Sequence, residues 1–188
     1  MTLTSSSSGW VPGRIVRLKT IMDSSQTGLA GEFYALAQLT HRNLVATLTL
    51  GNTKGVDILV TNQELNKLYK VEVKTSSTKA GRAKQFGDGK FYSWTMGKKH
   101  ESIVDENLVY CFIKLLDPER LPLFFLVKSE AVAKYVKWQH EYWLSTDPKR
   151  KDSDMRQFRI PVEDPEGYQD NWRLLGTDQR ERYVDLNT

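Results

Sequence analysis

Apolar and polar residues alternate most regularly in two short stretches of the chain, 56–60 and 70–74. Val56, Ile58 and Val60 alternate with Asp57 and Leu59, and Val71 and Val73 alternate with Glu72 and Lys74. β-Branched residues at a period of two predict strands. The segment Asn62–Lys67 between them has turn composition, so the pair is expected to form a β-hairpin. Side chains two apart on a strand share a face. Glu72 and Lys74 therefore point the same way, and pairing of the two strands brings Asp57 beside Glu72.

Around this hairpin the pattern changes period. A helix is expected over Gly28–Thr40, with Thr27 as N-cap and Leu29, Phe33, Leu36, Leu39 and Thr40 on one stripe. Glu32 falls on that stripe. A carboxylate among core-facing residues is costly unless paired or metal-bound; at the stripe's edge it would simply favour the helix dipole. Asn43–Leu50 reads as the first core strand, followed by the glycine-containing loop Gly51–Gly55. A second helix is expected to begin near Phe91 and to continue through Glu101 and Ser102. The run Leu108–Leu116 is too hydrophobic to have a wet face and is expected to be a central strand. A turn at Asp117–Arg120, a strand over Leu121–Val127 and a helix capped by Ser129 follow. That helix carries Val132, Tyr135, Val136, Gln139 and Trp143 at helical spacing. From Thr146 the chain turns charged, with a late strand expected over Arg156–Val162 and a docking segment at Trp172–Leu175.

This order of elements predicts an α/β fold with a mixed central β-sheet flanked by helices. Residues 1–27 are expected to form an N-terminal arm, with a polar Ser5–Gly9 tract and an alternating Arg14–Lys19 segment. Residues 28–145 form the core, and 146–188 a C-terminal extension packed on the same domain.

With 188 residues the chain is long enough for one domain with a real core. Cys111 is the sole cysteine and lies within the apolar run, which excludes a disulfide inside the chain and marks it as a core residue. No stretch has the length of a transmembrane helix and no apolar signal segment opens the chain, so a cytoplasmic location is expected. The formal net charge is +4, but it is unevenly spread. Between Lys74 and Lys99 the chain has Lys74, Lys79, Arg82, Lys84, Lys90, Lys98 and Lys99 against Asp88 alone, a net +6 that leaves −2 for the remainder. A positive field directly after the Glu72 strand suits a polyanion. Phe86, Phe91, Tyr92 and Trp94 interleave with these lysines, either to stack on bases or as core. His41, His100 and His140 show no metal-ligand spacing and read as surface or capping residues. The chain contains no Walker motif, dinucleotide fingerprint or G-x-S-x-G elbow.

Two carboxylates and an ammonium converging from adjacent strands have a chemical use. Mg²⁺ takes oxygen ligands, and one or two carboxylates suffice when water and phosphate supply the rest. The plainer alternative is the solvated face of an antiparallel sheet. Beyond the pairing itself, Gly55-Val56-Asp57 followed by Glu72-Val73-Lys74 resembles the D…(D/E)-x-K signature of the PD-(D/E)XK nucleases, a superfamily that includes restriction enzymes and archaeal-type Holliday junction resolvases. The resemblance covers roughly residues 28 to 127. Val56 stands where the signature has its proline. Members often have a further Glu on the helix before the first core strand, and Glu32 matches that place.

The resemblance implies a restriction endonuclease-like core and metal-dependent hydrolysis of phosphodiester bonds, with DNA as the expected partner, RNA as the alternative polymer, and a homodimer compatible with both. Asp57 and Glu72 would hold Mg²⁺ or Mn²⁺ with the Val73 carbonyl, Glu32 would complete the site directly or through water, and Lys74 would act on the attacking water and the charged transition state. Lys79, Arg82, Lys84, Lys90, Lys98 and Lys99 would contact the nucleic-acid backbone. The rival reading is a non-catalytic nucleic-acid-binding or assembly module that retains the same core.

Overall fold

The architecture is taken from a computed structural model, which describes residues 22–50, 55–82 and 88–177. Seven strands and two helices follow the order α1 (Ser24–His41), β1 (Val45–Leu48), β2 (Ile58–Asn62), β3 (Lys67–Ser76), β4 (Phe91–Gly97), β5 (Leu108–Lys114), β6 (Leu123–Lys128), α2 (Ser129–Ser145) and β7 (Met155–Pro161) among the described residues. The main sheet has the order β1-β2-β3-β5-β6. β3 and β5 are parallel, and the other pairs are antiparallel. It is the mixed central sheet with flanking helices that the sequence predicts.

β5 is buried at every position, and its alternation divides the core in two. Val109, Cys111 and Ile113 join Val71, Val73, Ala35, Leu39, Trp172 and Leu175 on one face. Leu108, Tyr110 and Phe112 join Trp94, Phe158, Val132 and Val136 on the other. Burial pushes the Cys111 thiol up to about 12, so it is an inert core group. Glu72 alternates with Val71 and Val73 and pairs in register with Tyr110, so it faces the second cluster.

Three expectations are corrected. The first concerns where α1 begins. Its N-cap is Asp23, not Thr27: the Asp23 carboxylate accepts from Gln26 N–H at 2.7 Å, and Gln26 Oε1 accepts from Asp23 N–H at 3.1 Å. This reciprocal capping box satisfies two donors where a Thr27 cap would satisfy one, and Thr27 is buried one turn inside.

The second concerns the face that α1 buries. Leu29 and Phe33 are 53% and 54% exposed, while Thr27, Gly31, Ala35 and Leu39 face the sheet. Close approach explains the choice, because a Cβ on Gly31 would overlap the Thr75 hydroxyl of β3. Large side chains cannot occupy that line at this helix–sheet distance. Gly31→Ala is expected to cost about 1–3 kcal/mol as α1 is forced outward, measured by denaturant unfolding. An unchanged midpoint would show that the contact relaxes freely.

The third concerns Phe91–Gly97, which is a strand rather than the start of a helix. Trp94 and Met96 are buried at a period of two, as are Arg156, Phe158 and Ile160 on β7. β4 and β7 pair antiparallel as a separate two-stranded sheet. It lies on the second core cluster, where Phe112 stacks on Phe158 with centroids 4.4 Å apart and Trp94 Nε1–H donates to the Ile113 carbonyl at 2.9 Å. The first core strand is also shorter than expected, at the edge of the sheet. Trp172–Leu175 docks as a 3₁₀ turn with Trp172 and Leu175 buried. Arg14–Lys19 and most of the loop 51–55 lie outside the described residues.

Candidate active site

Asp57 directly precedes β2 and is held by β3 through two backbone groups. Its N–H donates to the Val71 carbonyl at 2.9 Å. Its Oδ2 accepts from the Val73 N–H at 2.7 Å. The register that pairs Ile58 with Val71 thus brings the Asp57 carboxylate to the strand bearing Glu72 and Lys74. Gly55, two residues earlier, has φ +78°, a left-handed conformation that favours glycine, and its missing side chain would point toward Glu72 Oε2.

Glu72 is 2% exposed. Its Oε1 meets Lys74 Nζ at 2.7 Å and His100 Nε2 at 3.1 Å. An ionised carboxylate only accepts, so Nε2 must be the protonated ring nitrogen at this contact. Oε2 is buried and makes no hydrogen bond of ordinary geometry among the described residues, with the Tyr110 hydroxyl, also without one, its polar neighbour on β5. Burial acts to raise the Glu72 carboxyl, but the His100 and Lys74 contacts outweigh it and hold the group at about 2. Asp57 shifts the other way. Burial raises it first, and the Glu72 charge adds to that; Val73 N–H, Lys74 and Lys99 offset only part. Glu32 is likewise raised, by burial and then by the Asp57 charge, with Lys74 opposing. Burial, and then the charge of Glu72, push the Tyr110 hydroxyl far up.

The structure therefore brings Asp57, Glu72, Val73 and Lys74 together, with Glu32 within electrostatic reach. Among the described residues no three His, Cys, Asp or Glu side chains form a group that could hold a metal ion.

His100 is the residue that sequence reasoning missed. It is 3% exposed and lies against Glu72, not on the surface. His140 is also buried, with Nε2 2.7 Å from Asp152. The signal for His100 lay in the alternation of Trp94 and Met96: read as a strand, Phe91–Gly97 delivers the following 3₁₀ turn, Lys98–Glu101, back over β3.

The basic residues divide between two places. Lys79, Arg82, Lys90, Lys98 and Lys99 are exposed, and Lys84 lies outside the described residues. Lys99 acts electrostatically on Asp57, and Lys98 pairs with Asp152 at 3.2 Å. Lys79 and Arg82 follow β3, and the bridge between Gly81 and Phe91 sets them near Lys90 at the start of β4. Lys90 and Lys98 are eight residue steps apart along nearly extended chain, roughly 26 Å at about 3.3 Å per step. Of the interleaved aromatics, Trp94 is core and Tyr92 packs on Phe125 at 5.8 Å, while the Arg159 guanidinium lies over Phe91. Phe86 lies outside the described residues.

This fold has a counterpart among solved structures. It is similar to a bacterial homing endonuclease, I-Ssp6803I, with a TM-score of 0.51 and 13% sequence identity, over 82% of this chain and 93% of that one. At that identity the likeness is one of fold. No protein-family model and no curated protein sequence matches the chain.

The donor set fits a hard divalent cation. A buried carboxylate oxygen without an ordinary hydrogen bond, Glu72 Oε2, stands near the Asp57 carboxylate, which is raised first by burial and also by the Glu72 charge. Two carboxylates match the way Mg²⁺ is ordinarily held, with water and substrate phosphate completing the shell.

Proposed function

We propose that this chain is a metal-dependent nuclease of the PD-(D/E)XK type that hydrolyses phosphodiester bonds in DNA. The observation that carries the reading is the convergence of Asp57, just before β2, with Glu72 and Lys74 of the adjacent β3, with Glu72 Oε2 buried and without an ordinary hydrogen bond. The fold likeness to a protein described as a homing endonuclease supports it. Asp57 and Glu72, with the Val73 carbonyl, would hold Mg²⁺ or Mn²⁺, and Glu32 would contribute through water. When bound, the ion polarises a phosphoryl oxygen and lowers the pKa of a coordinated water.

The chain's own groups do the rest. Lys74 spends one of its three ammonium donors on Glu72 Oε1 and keeps two for the attacking water or a phosphate oxygen. In that position its charge opposes the negative charge that builds in the transition state. The Val73 N–H keeps Asp57 in one orientation, so little rearrangement is needed when substrate arrives.

The direct test is cleavage of linear, supercoiled, branched and single-stranded DNA, and of RNA, with Mg²⁺, with Mn²⁺ and with chelator. Chelator-sensitive cleavage of at least one substrate is expected. Its absence from all of them would sink the nuclease reading. A non-catalytic nucleic-acid-binding module is favoured by one observation, the lack of a three-carboxylate cluster among the described residues. That reading expects retention of nucleic acid with no cleavage under any metal.

The exposed cations make a separate prediction about binding. Each neutralised phosphate contributes about −0.9 to the slope of log affinity against log salt concentration on duplex DNA. Replacing Lys79, Arg82 and Lys90 together with alanine is expected to flatten that slope and to weaken all duplex sequences alike. Fluorescence anisotropy across a salt series measures both. An unchanged slope would remove this end of β4 from the interface.

A further inference from the structure

Glu72 has two carboxylate oxygens in different circumstances. Oε1 is held by Lys74 and His100, while Oε2 is buried, without an ordinary hydrogen bond and next to the open side of Gly55. The two partners of Oε1 differ in stiffness. Lys74 reaches it on a flexible four-carbon stem. His100 presents a rigid ring pinned at its other side, with Nδ1 2.8 Å from the Gly97 carbonyl oxygen and 3.1 Å from the Gly97 nitrogen. The ring also packs edge-on against Tyr110, with centroids 5.9 Å apart.

The turn that bears His100 is itself anchored. Lys98 N–H donates to the Asp154 carbonyl at 2.8 Å. Glu101 is paired with Arg156, a buried side chain of β7. The β4–β7 sheet therefore supplies a fixed frame that ends at one carboxylate oxygen of the site.

We propose that His100 is a positioning residue for the metal site: its Nε2 holds Glu72 Oε1, so that Glu72 offers Oε2 alone to the divalent cation. This rests on the metal-dependent reading above. Without His100, Oε1 is held by Lys74 alone, and the neighbouring Tyr110 hydroxyl is the other polar group beside the carboxylate. The carboxylate can then turn and divide its oxygens between the ammonium and the ion. Partners that orient a ligating group in this way typically contribute 10–100-fold to metal affinity or activity. A merely structural histidine would affect stability and leave the affinity of the folded protein for metal unchanged.

Two amides separate these roles. Asparagine reproduces the Nδ1 side of the ring, toward Gly97, and loses the contact with Glu72. Glutamine carries its amide at the depth of Nε2 and keeps a donor for Oε1. Mn²⁺ affinity is measured by isothermal titration calorimetry on the full chain, folded and metal-free, for wild type, His100→Asn, His100→Gln and Glu72→Gln. His100→Asn is expected to bind Mn²⁺ about 10–100-fold more weakly, and His100→Gln to recover most of that loss.

Wild-type affinity in His100→Asn would overturn the positioning role and leave the metal site standing. An equal loss in both His100 variants would also overturn it, since the restored donor would then be irrelevant. If Mn²⁺ does not bind wild type, or binds Glu72→Gln equally well, the metal site fails, and the role of His100 fails with it. Should His100→Asn not fold, His100→Ser takes its place in the same comparison.

Discussion

Single-turnover cleavage at saturating Mg²⁺ is expected to fall by about 10²-fold or more in Lys74→Ala, because a charge aimed at the transition state is lost. Metal affinity should be retained, since a protonated lysine is not a ligand. Lys74→Met keeps much of the stem and should behave like Lys74→Ala if charge is the cause. Glu72→Ala should instead lose metal binding and cleavage together. The structure adds a stability cost to the lysine variants. Lys74 is one of two partners holding the buried Glu72 carboxyl at about 2, below its ordinary 4.5. Such a depressed carboxylate contributes stability that is fully present above pH 4.5 and is lost as the pH falls through about 2. The net shift, left after burial has opposed the His100 and Lys74 contacts, corresponds to about 3 kcal/mol. Apo Lys74→Ala should therefore melt lower at neutral pH, with a shallower loss of stability toward acid, and the rates must be compared below its melting range. Equal rates for wild type and both Lys74 variants would make Lys74 a solvated strand residue.

Asp57→Asn is expected to separate apo stability from metal binding in the opposite sense. Asp57 is raised above its ordinary 3.8 by burial and by the Glu72 charge. For a raised acid the sign reverses. Stability is lost as the pH rises from the unfolded value through the folded one, and the penalty is fully present above the folded value. Asparagine removes that penalty and still accepts the Val73 N–H, so the apo variant should be as stable as wild type or more so. Mn²⁺ at about 100 times its dissociation constant should stabilise wild type by about 2.7 kcal/mol. For a chain of this size that raises Tm by roughly 5–10 °C. The variant should show little of this increase in a thermal melt. An identical Mn²⁺ shift in wild type and Asp57→Asn would mean that the ion binds elsewhere.

Local alternation was enough to place Asp57, Glu72 and Lys74. A strand has a side-chain period of two whatever it packs against, so the alternation through Ile58–Val60 and Val71–Val73 places the hairpin, observed as Ile58–Asn62 on Lys67–Ser76 and not from Val56, and the face that Glu72 and Lys74 share. The same logic made the apolar run of β5 central, because a strand buried on both faces has no polar alternation left.

What tertiary structure alone decided depends on distance between elements. Hydrophobicity favours Leu29 and Phe33 for the buried face of α1, but the close approach of Gly31 to Thr75 turns them outward. Nothing in residues 24–41 states how near the sheet will lie. Likewise the strand character of Phe91–Gly97 is completed by β7, whose Met155 pairs with Gly97 from 58 residues further along the chain. Only that pairing carries His100 to Glu72, which lies 28 residues earlier. The sequence by itself determined the carboxylates and the lysine, since their placement is a property of two neighbouring strands. The partner that pins Glu72 belongs to a sheet assembled from distant segments, and long-range packing, which no local period encodes, put it there.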